Sequence, residues 1–430
     1  MNGESMNVKT LNKLQRDTFE YFLKESNRDN GMVPDNTRQG AHSSITAIGF
    51  ALTAYAIGVE RGFITRSEAV HRTLTTLRFF RDSEQSEDPG ATGYKGFYYH
   101  FLYMDTGRRA WESELSTIDS TFLIAGMLTS AMYFNGDAPE EREIRRIAED
   151  LYARADWAWA LNRGETVTMG WKPECGFLPY RWEGYNEALI LYFLAIAAPL
   201  HPIPAASFAV RVKTYCWKEL YGQEYLYAGP LFIHQLSHMW VDFRGIQDEF
   251  MRSKGIDYFE NSRRATYAQR QYAISNPLRH KGYNEHCWGV TASDGPGPAT
   301  LRIDGVDRAF FDYTARGIPF GPDDGTIAPW AAAASLPFAP EIVLPALQHF
   351  SDVYPEITSK YGFKCSFNPT FDDGSQQQRG WVSKGYYGLD QGPIVMMIEN
   401  HRTEFLWSLM KKCPYIVDGL RKTGFTGGWL

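Results

Sequence analysis

Residues Thr65 to Asp82 read TRSEAVHRTLTTLRFFRD. Thr65 and Glu68 stand three apart, the spacing of a capping box, in which side chains satisfy backbone N–H groups left free at a helix start. Val70, Leu74 and Leu77 follow at the helical period, so one face is apolar and the other charged. The same grammar recurs along the chain. Asp257 with Glu260 opens the segment 258–275, and Pro139 stands where a first-turn proline belongs before 140–161. Weaker forms of the pattern cover 10–27, 44–60, 116–134, 186–197, 204–220, 231–243, 326–335, 339–352 and 391–411. Twelve helices are therefore expected.

No Pro/Gly/Ser linker or charge block divides these segments, so one domain over 1–430 is expected. Twelve amphipathic helices fit an all-α fold, six antiparallel hairpins closed into an (α/α)6 toroid with long loops at one end. Each helix then buries one stripe on its partner and another on the ring. In such a ring alternate helices start at the same end. The even ones begin near Ser44, Ser116, Asn186, Leu231, Thr326 and Gln391, and their starts carry Asp119, Glu187, Asp323, Asp324 and Asp390. The loop before the tenth helix adds Glu285 and Asp294. Topology would gather these carboxylates at one mouth.

Composition narrows the chemistry. Hydrophobic content of 44% and charge of 22% are those of a folded globular protein. A net charge of −6 and the absence of any Lys/Arg-rich run exclude a phosphate-tracking face, so no nucleic-acid partner is expected. The longest apolar run, Ala188 to Ala198, is too short to cross a bilayer, so no membrane role is expected. The start, MNGESMNVKT, has neither a basic nor an apolar leader segment; a cytoplasmic location is expected for the chain as it stands, and a periplasmic or secreted one if a leader has been trimmed from it. Five scattered cysteines with no CxxC pair read as reduced thiols. The aromatic share of 15%, with 12 Trp and 25 Tyr, is more than core packing needs and points to flat amphipathic binding surfaces.

The tetrapeptide GYNE occurs twice, at 184–187 and 282–285, and Gly385 to Asp390 (GYYGLD) echoes it. Asp119 and Glu187 taken singly are ordinary first-turn acids. Helix capping does not call for a preceding Gly-Tyr or a following Trp, however. Sugars are held by aromatic faces against C–H surfaces and by carboxylates and amides against hydroxyl pairs. Trp171, Tyr180, Trp182 and Tyr185 precede Glu187; Tyr283 and Trp288 flank Glu285; Trp381, Tyr386 and Tyr387 precede Asp390. Glycosidic cleavage needs one protonated carboxyl for the leaving oxygen and one ionised carboxylate for water or direct attack. Two rival motifs fare worse. His234 and His238 have the spacing of the HExxH zinc motif, but Gln235 replaces its glutamate, so a polar lining or a core pair is expected, with Asp242 one turn on. Gly295-Pro296-Gly297-Pro298 lacks the GK[ST] ending and the N–H donors of a phosphate loop. No metal and no cofactor are expected.

The strings STIDSTFLIAG (116–126), GYNEALILYFLA (184–195), FIHQLSHMWVDFRG (232–245), GYNEHCWGVTASDGP (282–296) and GYYGLDQGP (385–393) resemble the glucoamylase-like domain of bacterial glycoside hydrolases. Within that group the chain is most similar to the family 144 endo-β-1,2-glucanases, from about residue 10 onward. The resemblance implies an (α/α)6 barrel, no cofactor, and hydrolysis of β-1,2-glucan to sophoro-oligosaccharides with inversion. Position by position it implies Glu187 as general acid and Asp390 as base, with Asp119 and Glu285 holding the sugar or tuning that pair. The expected sugar contacts are Asn186, His234, His238, Arg244, Asn284, Asp294 and Gln391 with the aromatic residues Trp182, Tyr185, Tyr283, Trp288, Trp381, Tyr386 and Tyr387. Cyclic β-1,2-glucan synthase domains share this barrel and transfer glycosyl groups, so a Glu187–Glu285 pair stays open. An α-glucan hydrolase and a non-catalytic glucan-binding protein are the remaining alternatives.

Overall fold

In the computed structural model, residues 8–374 and 380–430 are described. The first seven residues, on which part of the leader reading rests, lie outside them. The described chain forms fifteen α-helices: α1 (Val8–Lys24), α2 (Ile45–Glu60), α3 (Arg66–Asp82), α4 (Thr117–Tyr133), α5 (Pro139–Arg154), α6 (Trp157–Ala160), α7 (Leu189–Ala197) and α8 (Ala206–Val212). There follow α9 (Glu249–Lys254), α10 (Tyr258–Ser275), α11 (Pro329–Ala334), α12 (Pro340–Val353), α13 (Gly388–Thr403), α14 (Phe405–Met410) and α15 (Pro414–Lys422).

The start signals act as read. Thr65 accepts the Glu68 N–H at 3.2 Å, Ser116 that of Asp119 at 3.2 Å, and Asp257 that of Glu260 at 2.7 Å. Helix α5 carries one buried stripe, Ile144, Ile147, Ala148, Leu151 and Tyr152. By contrast α2 is buried along fourteen of its sixteen residues. A helix apolar all round must be enclosed. That difference sorts the chain into an inner ring of α2, α4, α7, the 231–239 segment, α11 and α13, and an outer layer including α1, α3, α5, α10, α12 and α15. The fold is the (α/α)6 barrel.

Two glycines let the first inner helices touch. A Cβ on Gly49 would lie 2.3 Å from the Phe122 carbonyl oxygen, and one on Gly126 would lie 2.2 Å from that of Gly49. Gly49→Ala is therefore expected to destabilise the barrel by about 3 kcal/mol through overpacking against unyielding backbone, measured as a lowered thermal midpoint. On the barrel axis the Trp240 ring lies 5.8 Å from Phe122 and 5.9 Å from Phe50, and its indole N–H donates to Thr53 at 3.2 Å.

Four expected helices come out differently: the 140–161 segment divides into α5 and α6 where Ala155 turns extended, and three others change as follows. The 231–243 segment is two 3-10 turns, Leu231–His234 and Leu236–Met239, because Gln235 leaves helical geometry while its amide donates to Ala331 O (2.6 Å) and Ser335 Oγ (2.7 Å). The 204–220 helix stops at Val212, and Trp217–Leu220 pairs with Gln223–Leu226 about a Tyr221-Gly222 turn with both φ positive. The last helix breaks at Glu404, whose φ of 57° divides α13 from α14. Between helices run short strands, among them an antiparallel five-stranded sheet that brings Phe97–Tyr99, Leu115–Ser116 and Gly170–Lys172 side by side. Helical periodicity cannot register strands of two or three residues.

Candidate active site

A cavity of about 500 Å³ opens where the inner helices begin. Each contributes: Ser44 and Thr46 at α2, Ile118, Asp119 and Phe122 at α4, Glu187 just before α7, Phe232 and Leu236 from the 3-10 turns, Trp330 at α11, and Tyr387 and Leu389 at α13. The loops add Asp35, Asn36, Arg38, His100, Phe101 and Tyr313. Ring topology thus delivers groups far apart in sequence to one mouth.

Glu187 is the cavity carboxyl whose proton affinity the barrel raises most clearly. Burial among apolar walls, reinforced by the Asp119 charge, pushes its pKa up to about 7 against the pull of Arg211 and a backbone hydrogen bond. At neutral pH a large share of it carries its proton. Asp119 faces the same cavity from α4: it accepts from Thr46 Oγ1 at 2.5 Å and from the Ser116 hydroxyl, and the His100 imidazole lies 3.7 Å away. Burial would lower the His100 pKa, but the charges of Asp119, Glu114 and Asp35 and a 2.9 Å hydrogen bond to Glu114 raise it to about 9. His100, Glu114 and Asp119 place cation-ligating atoms within 4.8 Å of one another, yet the imidazolium already supplies the positive charge between the two carboxylates.

Asp390, in the first turn of α13, lies behind the cavity wall made by Tyr387 and Leu389. It is 1% exposed, and neither of its oxygens accepts a hydrogen bond from any described residue. Burial first, then the charges of Asp35 and Asp294, lift its pKa well above the usual carboxylate range, with the neighbouring Cys365 thiol acting in the other direction. Asp35 is itself raised by burial and by Asp119. Asp294 is compensated by Arg38 (2.7 Å) and the Ser383 hydroxyl (2.7 Å). Arg38 in turn stands 5.8 Å from the Tyr387 ring, so Asp294 reaches the cavity through it.

Several expected site residues are elsewhere. Glu285 is 57% exposed and pairs with Arg270 at 3.3 Å, away from the cavity lining. The GYNE repeat encodes a turn rather than a shared site: Gly184 and Gly282 both take positive φ, Tyr185 and Tyr283 are both buried, and Asn186 and Asn284 each accept the N–H two residues on. Tyr283 donates to Asp323 at 2.7 Å, and Trp288 is fully enclosed in the core. Asn186 also accepts from Arg211 at 2.9 Å. Trp182 is buried and donates to Thr117 at 2.9 Å, Tyr386 and Gln391 are buried behind the wall, and Trp381 sits in a two-stranded pair with Asn368. His234 and His238 are core residues, their pKa values driven down to about 4 and about 3 by burial, and the 3-10 geometry voids the helical-face argument that joined them to Asp242. Arg244 pairs with Asp242 (2.7 Å) and with Glu404 (2.6 Å), the residue that ends α13, so it lies at the opposite end of the barrel.

Asp323 and Asp324 are structural as well. Asp323 accepts from Tyr272 and Tyr283, both at 2.7 Å. Asp324 holds Arg316 through two bonds of 2.8 Å, and both side chains are wholly enclosed. Replacing Arg316 with methionine strands that carboxylate and is expected to cost about 3–5 kcal/mol, read as a lower denaturation midpoint. The sequence reading missed Asp35, Arg38, His100 and Tyr313, which lie in unrepeated loop segments. Only the Pro34-Asp35-Asn36 turn chemistry marked any of them.

With this geometry in place, comparisons with known proteins are specific. The chain is 28% identical to the exo β-1,2-glucooligosaccharide sophorohydrolase (non-reducing end) of Parabacteroides distasonis, over 96% of its own length and 57% of that relative's. It therefore spans little more than half of the curated relative it matches. Among solved structures it superposes with a TM-score of 0.86 on the endo-β-1,2-glucanase of Chitinophaga pinensis in complex with sophorotriose and glucose (27% identity, 99% and 100% coverage). A Bacteroides uniformis protein described as a glucoamylase gives a TM-score of 0.86 at 31% identity, with 99% and 100% coverage. Residues 179–414 match the Glycoamylase family model ("Putative glucoamylase"), a span running from Glu187 through α13. The chain belongs to the Glycoamylase family.

Proposed function

We propose that this chain, acting as one catalytic unit, is a glycoside hydrolase that cleaves β-1,2-linked glucose oligomers. The observation that carries the reading is Glu187, a carboxyl whose pKa burial pushes up to about 7, in a cavity walled by aromatic rings and by a second carboxylate, Asp119. Glu187 gives its proton to the leaving glycosidic oxygen; a pKa near neutrality is what a general acid needs. Asp390 takes the proton of the attacking water in its ionised form, which burial makes scarce at low pH, so turnover needs a pH high enough to free it while Glu187 keeps its proton. The barrel likeness to two enzymes of β-1,2-glucans supports the linkage. His100 and Arg38 supply positive charge that keeps neighbouring carboxylates from forcing each other neutral.

A second reading is favoured by one observation. Asp119 lines the same cavity as Glu187 and is held by the Thr46 hydroxyl, so in this reading it takes the base role with Asp390 behind it as a tuning group. The exposed position of Glu285 weighs against a retaining Glu187–Glu285 pair. The test is proton NMR during hydrolysis of a β-1,2-gluco-oligosaccharide. The first-formed α anomer, with no product longer than the substrate, is expected; a β product or chain elongation overturns inversion in favour of transfer.

A further inference from the structure

Of the twelve tryptophans in the chain, eleven are buried or half-buried and one, Trp111, is 64% exposed. Its backbone is in the left-handed region, with φ of 54°. For a bulky side chain that conformation costs free energy and persists only where the surroundings impose it. Here they do. The loop carrying Trp111 is tied at both ends to the strand residue Phe101: Ala110 N–H donates to the Phe101 carbonyl at 2.9 Å and Ser113 Oγ to the same oxygen at 3.2 Å. Arg109, its side chain buried, spans the loop base with 2.7 Å to the Ser113 carbonyl and 2.6 Å to Glu174. The chain is thus held in a strained shape whose result is an indole presented to solvent.

That indole is supported from beneath. Its ring lies 4.3 Å from His42 and 5.2 Å from Phe101, and Phe101 stacks on His100 at 4.0 Å and 13°. Phe101 and His100 are walls of the active-site cavity. An unbroken aromatic path therefore leads from beside Asp119 out to the rim. A rigid, amphipathic ring joined to a saccharide cavity by a shared wall suits the C–H face of a pyranose.

We propose that Trp111 is the platform of an outer subsite that stacks a glucosyl unit beyond those spanning the cleaved bond, and so confers preference for longer oligomers. This rests on the glycan reading of the cavity. A free platform contributes binding that only chains long enough to reach it can use, so its loss is selective by length.

The experiment has two arms. In the first, kcat/KM is measured for wild type, Trp111→Ala and Trp111→Phe on β-1,2-gluco-oligosaccharides of increasing length. For Trp111→Ala the shortest cleaved oligomer should be unaffected and the longer ones should lose about tenfold, with Trp111→Phe in between and melting temperatures unchanged. In the second, Glu187→Gln is titrated with oligomers of β-1,2-, β-1,3-, β-1,4- and α-1,4-linked glucose while tryptophan fluorescence is followed. The part of the spectral change seen only with oligomers long enough to reach Trp111 should vanish in the Glu187→Gln, Trp111→Ala double variant, while the cavity-wall Trp330 keeps its own response. Equal losses at all lengths, no loss at any length, or a length-dependent fluorescence change that survives in full in the double variant overturns the platform, as does a shift of Trp111→Ala in oligomeric state. If wild type ignores the β-1,2 series but another glucan gives the Trp111-dependent change, the linkage reading fails and the platform stands.

Discussion

Glu187→Gln is expected to lower kcat on β-1,2-gluco-oligosaccharides by at least 100-fold while leaving substrate affinity nearly intact. Glutamine keeps the shape and hydrogen-bonding reach of the carboxyl but cannot donate an acidic proton, and loss of a general acid typically removes about 10²–10⁴ in rate. A non-catalytic glucan-binding protein would show no turnover to lose. The same substitution has a thermodynamic signature. A carboxyl whose folded pKa is raised from 4.5 to about 7 binds its proton more tightly in the folded state. Its contribution is thus most favourable below about 4.5, and that advantage is lost as pH rises through 7. At about 1.4 kcal/mol per unit, discounted for solvent access at a cavity wall, Glu187→Gln should gain about 2 kcal/mol at pH 8 and little at pH 4. Thermal melts at the two pH values measure it. In wild type, kcat/KM should fall as pH rises past about 7, when Glu187 loses its proton.

Asp390→Asn is the second large effect, again at least 100-fold in kcat, with the barrel intact by circular dichroism. A buried carboxyl opposed only by the Cys365 thiol is costly to ionise, so the amide should flatten the decline in stability that the raised Asp390 pKa produces as pH rises from 3.8 upward. Sodium azide separates the two candidate bases. A small anion can attack the sugar without base assistance, so azide should restore turnover to Asp390→Asn and yield the α-glucosyl azide. Rescue of Asp119→Asn instead would transfer the base role to Asp119.

The ring was legible because its signals are local. Ser44, Ser116 and Asp257 cap helices by contacts within three residues, and an all-apolar stretch such as Ile45 to Gly58 has nowhere to lie but inside. From those starts alone the convergence of Asp119 and Glu187 followed, and both line the cavity. The site's other half was not legible. Asp35, His100 and Tyr313 sit in loops whose paths are set by strand pairs of two residues, such as Ser43–Ser44 with Phe101–Leu102. Glu285 misled for a definite reason. A buried tyrosine, a left-handed glycine and an asparagine that accepts from the residue two ahead make the same turn at two places, and only at the first does the following glutamate face the mouth. The His234–His238 pair misled similarly, since spacing implies a shared face only where the backbone is α-helical.

The central claim is that the mouth of this barrel breaks β-1,2 bonds between glucose units. Chromatography of products after separate incubation of wild-type protein with β-1,2-glucan, laminarin, cellulose and starch measures it directly. The account predicts short sophoro-oligosaccharides from the first and unchanged polymer from the other three; release of glucose or maltose from starch, with β-1,2-glucan left intact, would contradict it.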